Sequence, residues 1–238
     1  MLVTTEHRLY KNMAKKGKGN ILKYIRTSKG LGKGLIAGAI VLLFFSLPVT
    51  ISLLLAKANA VVAILLSAPG TLLLILGIYF AHKRAASWIS YYQEQTGFSE
   101  GEIQQVNLEL SSPSTAIVTC QNFISAFFTE HYVVMNDVYP YVRRLEDIIA
   151  VAFSDSTDIW FMAILSTRDQ EAKAVNLHAD TQGKRALCME LMQQMCSRNP
   201  RILCGQDIVC DGRHYILERD GAQILRLYQE GRPLELAK

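Results

Sequence analysis

Two long apolar runs without a charged residue dominate the hydrophobic pattern of the chain. They cover Gly34–Ala56 and Ala60–Ala81, and only residues 57–59 separate them. At 1.5 Å per residue each run forms a helix of roughly 33 Å, long enough to cross a hydrocarbon core of about 30 Å. Because the connection is so short, the two helices must be antiparallel neighbours. The pattern therefore predicts a transmembrane helical hairpin over residues 34–81, with spans 34–56 and 60–81.

Neither predicted span contains Asp, Glu, Lys or Arg. Transport of a proton, an ion or a polar substrate normally needs ionisable groups at membrane depth. The hairpin alone is therefore expected to be an anchor, and a channel role would require an oligomer. Gly30, Gly34 and Gly38 recur at four-residue spacing and form a stripe that permits close backbone approach. We interpret this stripe as a helix-packing site, either for the second helix or for another copy of the chain.

Charge is distributed unevenly around the hairpin. Residues 1–33 carry nine Lys/Arg and one acidic residue, whereas residues 85–238 carry 13 Lys/Arg and 20 Asp/Glu. Cations also follow the second run, at residues 82–84. The positive-inside rule therefore predicts a multi-pass cell-membrane protein with both termini cytoplasmic. The acidic balance after the hairpin argues against nucleic acid as a partner, so the lipid bilayer and a protein are the expected partners.

The segments that flank the hairpin are predicted to lie at the membrane surface. Residues 1–33 form a basic cytoplasmic arm in which Ile21–Arg26 favours a short interfacial helix against anionic lipid. The alternative is an arm that binds nucleic acid or a protein partner. Residues 82–97 are predicted to form a juxtamembrane helix, whose aromatic residues suit the headgroup region and which Gly97 ends.

From about residue 102 the pattern changes to short runs rich in Val, Ile, Phe and Tyr, bounded by turn residues. The predicted strands are Ile103–Leu110, Ala116–Cys120, Phe123–Thr129, Tyr132–Met135, Val138–Arg143, Ile148–Ser154, Trp160–Ser166 and Ala174–Leu177. A helix follows over Thr181–Arg198, with Leu187, Leu191 and Met195 on one apolar stripe. Antiparallel strands followed by a closing helix predict an α+β fold.

Three segments carry a resemblance to a bacterial family. Phe128–Val134 (FTEHYVV) is similar to a turn that opens into a sheet strand, and Val142–Phe153 (VRRLEDIIAVAF) resembles a strand-turn-strand segment of bacterial pleckstrin-homology-like (PH-like) domains. Ser197–Gly205 (SRNPRILCG) is similar to a helix end and its extension in membrane-anchored bacterial proteins. Over residues 34–206 the chain thus resembles a largely uncharacterised family with two transmembrane helices and a PH-like cytoplasmic domain. The resemblance implies a PH-like domain over 98–206 and no catalytic residues.

The last segment, residues 207–238, is predicted to be a C-terminal extension. Arg213–Glu218 and Ala222–Tyr228 alternate like two short strands, and Asp220-Gly221 between them is a favourable hairpin turn. We therefore expect a hairpin in this extension.

The cysteine pattern indicates reduced thiols. The five cysteines are Cys120, Cys188, Cys196, Cys204 and Cys210. Their count is odd and none forms a Cys-x-x-Cys pair, which fits a reducing compartment. Zinc binding is the less favoured alternative, since no standard ligand spacing is present.

The sequence also argues against an enzyme. It contains no nucleophile-elbow, zinc-protease or nucleotide-loop motif. Glu146 and Asp147 are adjacent, so in a strand they would face opposite sides and could not share a proton. We expect a protein without catalytic, cofactor-binding or metal-binding residues and without a cofactor.

These patterns lead to one function and one alternative. The favoured function is a multi-pass membrane protein whose PH-like domain binds protein partners or lipid headgroups at the cytoplasmic face. The paired cations of the domain are the candidates for headgroup contact, although a solvated surface is the simpler interpretation: Arg143, Arg144, Lys184 and Arg185. The alternative is an accessory subunit of a larger transporter, channel or envelope complex, packed through the hairpin, and a homo-oligomer is also compatible with the glycine stripe.

Overall fold

The structure is a computed structural model that describes residues 2–28, 31–55, 60–120, 123–136, 140–154, 161–176 and 181–237. The chain divides into two compact units. The helical unit is the continuous segment Ile25–Ile89. The globular unit combines Met1–Tyr24 with Ser90–Lys238, so that the helical unit interrupts its sequence.

Helices predominate in the first half of the chain, and strands and helices are mixed in the second half. The helices are α1 (Arg8–Gly17), α2 (Ile21–Ser28), α3 (Leu31–Leu55), α4 (Ala60–Ala86), α5 (Trp88–Thr96), α6 (Glu100–Leu110), α7 (Thr181–Arg198) and α8 (Leu217–Gln229). The strands are β1 (Leu2–Val3), β2 (Ala116–Cys120), β3 (Phe123–Phe128), β4 (Tyr132–Met135), β5 (Tyr141–Arg144), β6 (Ile148–Ser154), β7 (Phe161–Ser166), β8 (Lys173–Asn176), β9 (Leu203–Cys204), β10 (Asp207–Cys210), β11 (Arg213–Ile216) and β12 (Glu235–Leu236). The chain is thus a mixed helix and sheet protein in which two long apolar helices precede antiparallel sheets and a C-terminal helix.

The helical unit contains the two apolar runs as α3 and α4. Lys33–Leu53 and Ile64–Ala86 are long and apolar enough to cross a membrane by length and composition. Most of their large apolar side chains are exposed, as in a helix pair that faces lipid. The helices begin and end within a few residues of the predicted runs, and residues 56–59 between them lie outside the described residues.

The described strands of the globular unit form three sheets. The first has the order β1-β2-β3-β4-β5 and is antiparallel throughout. The second has the order β8-β7-β6-β9, in which only the β6–β9 pair is parallel. The third is β11-β10-β12. The seven predicted strands from residue 116 onwards are present, although the predicted positions Thr129 and Pro140 lie outside β3 and β5. The predicted positions 138–139, 160 and 177 fall outside the described residues.

Helix α7 closes the core that the first two sheets share. Its Leu187, Leu191 and Met195 are buried together with residues of both sheets, among them Phe128 and Val151. The predicted bounds of this helix and its apolar stripe are confirmed.

A second core lies on the opposite face of the second sheet, and the C-terminal segment covers it. Ala152 and Leu165 of β6 and β7 pack there with Ile208, Tyr215 and Ile224. Strands β6 and β7 are therefore buried on both faces, which explains their nearly continuous apolar sequences.

The prediction for the C-terminal hairpin is wrong in its second half. Strand β11 is present, but it pairs with β10, and Ala222–Tyr228 belongs to helix α8. The hairpin turn is Asp211-Gly212, where φ is 51° and 74°. A positive φ at both residues is what the tight turn of a two-residue hairpin requires. Asp220 lies at a kink inside α8, and its carboxylate accepts a hydrogen bond from the Ile216 amide at 2.8 Å.

The predicted strand Ile103–Leu110 is also wrong, because this segment forms helix α6. The Ser99 hydroxyl accepts from the Glu102 amide, and the Glu102 carboxylate accepts from the Ser99 amide, which completes a capping box. Ile103, Val106 and Leu110 are buried at the spacing of one helix face.

The first 24 residues are part of the globular unit. Strand β1 extends the first sheet, with Leu2 opposite Val118. The Tyr10 hydroxyl donates to the Leu110 carbonyl at 3.1 Å, and the Asn107 side-chain oxygen accepts from the Ile21 amide at 2.8 Å. The predicted helix from Ile21 is confirmed as α2.

Candidate functional site

A cavity of the globular unit brings several cations and aromatic rings together, and we call it the arginine cleft. Its volume is about 500 Å³, within the range of pockets that bind small molecules. The side chains that define it come from the turn before β4, from β4, β5, α7 and its following loop, and from α8: His131, Tyr132, Arg144, Arg198, Arg201 and Tyr228.

Arg144 is held in the wall of the cleft by two carboxylates. Its Nη2 atom donates to Glu102, and its Nη1 atom donates to Glu146 at 3.1 Å. The hydrogen bond from the Ser99 backbone lowers the pKa of Glu102, and Arg144 lowers this pKa further. Both partners of the Arg144–Glu102 pair are therefore charged at neutral pH, and the protein itself neutralises Arg144.

Arg198 differs from its neighbours because no carboxylate of the described residues pairs with it. Its Nη1 atom donates to the backbone and side-chain oxygens of Gln194, and its guanidinium lies 5.5 Å from the centre of the Phe128 ring. Burial lowers the pKa of Arg198, since the cation has lost hydration without gaining an anion. Its Nε and Nη2 groups have no hydrogen-bond acceptor within the described part of the chain, so one edge of the guanidinium is available.

Arg201 lies three residues further on and also lacks a carboxylate partner within the described ranges. It is exposed, and the turn that presents it is fixed by Asn199. The Asn199 side-chain oxygen accepts from the Arg201 amide at 3.1 Å, while its side-chain amide donates to the Leu145 carbonyl at 2.8 Å. Asn199 therefore joins the end of α7 to the turn after β5, and this connection holds Arg198 and Arg201 against the wall that carries Arg144.

His131 is oriented by a carboxylate from α6. Its Nδ1 atom lies 3.0 Å from Oε1 of Glu109, and the other oxygen of Glu109 accepts from the Thr129 hydroxyl at 2.7 Å. Desolvation acts to raise the pKa of Glu109, but hydrogen bonds from Thr129, Gln105 and His131 outweigh it and lower the pKa. An ionised Glu109 places the ring proton on Nδ1 and leaves Nε2 of His131 for contacts outside this pair.

The predicted headgroup residues do not form one surface. The side chain of Arg143 is only 4% exposed and pairs with Asp169, so it has no guanidinium to offer to a headgroup. Arg144 lines the arginine cleft, whereas Arg185 is exposed on α7, 13 residues and roughly 20 Å of helix away from Arg198. The side chain of Lys184 lies outside the described residues.

Sequence reasoning missed the residues that the cleft assembles from distant segments. His131 and Arg198 are 67 positions apart, and no local spacing relates them. The signal that was present is Arg198-Asn-Pro-Arg201, in which two cations bracket a helix stop. The adjacent pair Glu146 and Asp147, which falls between two predicted strands, lies in a 3-10 turn, where each carboxylate pairs with an arginine.

The glycine stripe of α3 is open in the helical unit. A Cβ atom added to Gly34 or Gly38 would meet no atom within 4 Å, and Gly30 lies outside the described residues. The close approach between the two apolar helices is at Gly70, where an added Cβ would lie 2.8 Å from the Leu43 side chain. The second helix therefore does not cover the Gly34 and Gly38 positions.

The cysteines depart from the prediction of reduced thiols. Cys196 at the end of α7 and Cys204 on β9 form a disulfide, with their Cα atoms 7.1 Å apart. Cys120, Cys188 and Cys210 are free. The chain reverses direction between α7 and β9, and this reversal brings the two sulfur atoms together.

Within the described residues, no group of three or more His, Cys, Asp or Glu side chains could hold a metal ion. No protein-family model, curated protein or solved structure matches the chain.

Proposed function

We propose that this chain is a multi-pass protein of a bacterial cell membrane whose PH-like domain binds partners at the cytoplasmic face. The observation that carries the proposal is the arginine cleft. A partly buried arginine without a carboxylate costs free energy unless an anion compensates it, and an accessible cavity adjoins that arginine. A partner-binding site explains both the arginine without a carboxylate and the cavity beside it.

The helical unit supports the placement at the membrane. Its two helices could span a bilayer, and cations flank both apolar runs. The globular unit is built from segments on either side of this helical unit in the sequence, which supports a topology with both segments in the same compartment. A hairpin of two spans gives this topology, and the positive flanks favour the cytoplasm.

Photo-crosslinking in native membranes tests this function. A benzoylphenylalanine at Tyr228, which lines the cleft, is compared with one at Ile216, which is exposed on β11 outside the cleft lining. We expect a cross-linked partner, protein or lipid, from position 228 only, and we expect it to disappear when Arg201 is replaced by Gln. The same products from both positions would contradict a specific partner site at the cleft.

The second candidate function is an accessory subunit packed through the hairpin. The open Gly34 and Gly38 positions favour it, because a neighbouring helix could approach them closely. Gly38→Leu should then abolish co-purification of a polytopic partner or of a second copy, whereas Ala37→Leu, one residue away on another side of α3, should not. Equal recovery of all partners from both variants would remove this candidate.

A further inference from the structure

Two cations of the arginine cleft are available to a ligand. Glu102 and Glu146 neutralise Arg144, whereas Arg198 and Arg201 have no carboxylate partner in the described part of the chain. Glu130 also lines the cleft and is exposed like Arg201, so solvent and salt screen both charges. Two guanidinium groups without a carboxylate partner offer charge-assisted donors to several oxygens of one anion. A phosphate monoester, which carries about −1.5 to −2 at neutral pH and three acceptor oxygens, uses such donors more fully than a single carboxylate does.

The geometry of the donors also suits phosphate. Nη1 of Arg198 is occupied by Gln194, which leaves the Nε–Nη2 edge for a bidentate contact with two oxygens. His131 lines the same cavity, and because Glu109 holds its Nδ1 atom, Nε2 is left for a hydrogen bond with a phosphate oxygen. Arg198, Arg201 and His131 all line this one cavity.

The size and walls of the cleft indicate an organic ligand. A volume of about 500 Å³ is far larger than inorganic phosphate needs. Tyr132 and Tyr228 line the cavity and offer aromatic surface to an apolar or planar group. We propose that the arginine cleft binds the phosphomonoester group of a small organic molecule through Arg198 and Arg201, with the two tyrosines against its organic part. This inference rests on the proposed function and names its ligand class.

The test uses the full-length protein in phosphatidylcholine nanodiscs and phenyl phosphate as the probe. Calorimetric titration should show saturable binding that is about tenfold or more tighter than binding of benzoate, which has a similar body and one negative charge. Arg201→Gln should weaken phenyl phosphate binding by about tenfold or more. Arg213→Gln, an exposed arginine of β11 that does not line the cleft, should leave it unchanged.

Arg198→Gln should give the same loss as Arg201→Gln. Because Arg198 is partly buried, the thermal unfolding of the Arg198→Gln protein is measured in parallel. If that variant is unstable, the binding measured for Arg201→Gln, at an exposed position, tests the inference. Absence of saturable binding to the wild type, equal binding of benzoate, or an equal loss in Arg213→Gln would overturn the inference.

A second arm identifies the source of the phosphate. Titrations in nanodiscs with phosphatidic acid, a phosphomonoester lipid, are compared with titrations in nanodiscs with phosphatidylglycerol, an anionic phosphodiester lipid. If phenyl phosphate binds more weakly in the phosphatidic acid nanodiscs only, the ligand is a lipid phosphomonoester. If phenyl phosphate binds equally in both kinds of nanodisc, the ligand is a soluble phosphomonoester. Crosslinking from position 228 without phenyl phosphate binding overturns this inference and leaves the proposed function standing.

Discussion

The guanidinium of Arg143 and the carboxylate of Asp169 form an ion pair inside the globular unit, with side chains only 4% and 2% exposed. Arg143 lies on β5 and Asp169 follows β7, so the pair connects the first sheet to the second. The Tyr141 hydroxyl donates to the other carboxylate oxygen at 3.0 Å, and burial raises the pKa of Tyr141 well above its usual value. Tyr141 therefore remains a protonated donor, and Asp169 is satisfied from two sides.

Loss of one partner of this pair should destabilise the protein strongly. Arg143→Met leaves a buried carboxylate without its cation, which costs about 3–5 kcal/mol. For a chain of this size we expect the thermal midpoint to fall by on the order of 10 °C. Scanning fluorimetry in detergent measures it. Arg226→Met, which breaks the exposed pair with Glu230, is the matched control and should change the midpoint by less than about 2 °C. Equal falls in the thermal midpoint would show that the buried Arg143–Asp169 pair stabilises the protein no more than the exposed pair does.

Gly221 in α8 should tolerate no side chain. A Cβ atom there would lie 2.7 Å from the Ala172 amide nitrogen, a backbone atom that cannot move aside cheaply. Gly221→Ala should cost about 1–3 kcal/mol through overpacking, although alanine normally favours a helix. Gly101→Ala in α6, where the nearest atom is 3.9 Å away, should be neutral or stabilising. Thermal unfolding of the two variants compares them directly, and a stabilised Gly221→Ala protein would contradict the contact with Ala172.

The contribution of Glu109 should depend on pH. Its folded pKa is lowered, so its stabilising effect is fully present above its ordinary value of 4.5 and is lost as the pH falls through the folded pKa. Glu109→Gln should therefore lower the thermal midpoint at pH 6, and the difference from the wild type should shrink as the pH falls below about 4.5. Glu94→Gln, at an exposed position of α5, serves as the control. A difference that persists unchanged in acid would rule out the ionised carboxylate as its cause.

A count of free thiols should distinguish a Cys196–Cys204 disulfide from the predicted set of reduced cysteines. Alkylation of the denatured protein without reductant should modify Cys120, Cys188 and Cys210, and prior reduction should raise the count from three to five. Intact mass spectrometry reads the number directly. Disulfides are rare in the cytosol, so trapping with a permeant alkylating agent in cells also reports on the compartment. Five modified thiols in non-reduced purified protein would show that Cys196 and Cys204 are not joined.

The sequence pattern was most informative where one signal extends over many residues. The two runs are apolar throughout, and α7 has a stripe of Leu187, Leu191 and Met195 before a helix stop, so their helices begin and end close to the predicted residues. Helix α6 was missed because its alternating apolar residues resemble a strand, and the signal that decides it is the Ser99–Glu102 cap. Ala222–Tyr228 was missed for a similar reason, since its apolar positions also fit a helix face that covers the second sheet.

The remaining features of the fold and the site depend on tertiary contacts, which no local sequence pattern predicts. The sequence contains two Asp-Gly dipeptides in the C-terminal segment, and only the pairing of β10 with β11 selects Asp211-Gly212 as the turn. Arg143 and Arg144 are adjacent and chemically identical, yet one is buried with Asp169 and the other lines the arginine cleft. No local pattern separates them, because the partner carboxylates come from other elements.

The interruption of the globular unit by Ile25–Ile89 has a consequence for biosynthesis. The ribosome completes Leu2 long before it makes Val118, the residue opposite Leu2 in the first sheet. Strand β1 must therefore wait, unpaired, until the helices have been synthesised and the later strands have emerged. In the proposed topology, a chain whose second helix fails to insert would carry its later strands into the wrong compartment and leave β1 alone. Closure of the first sheet by β1 thus reports that insertion has succeeded, and a misinserted chain would present an incomplete sheet edge to proteolysis.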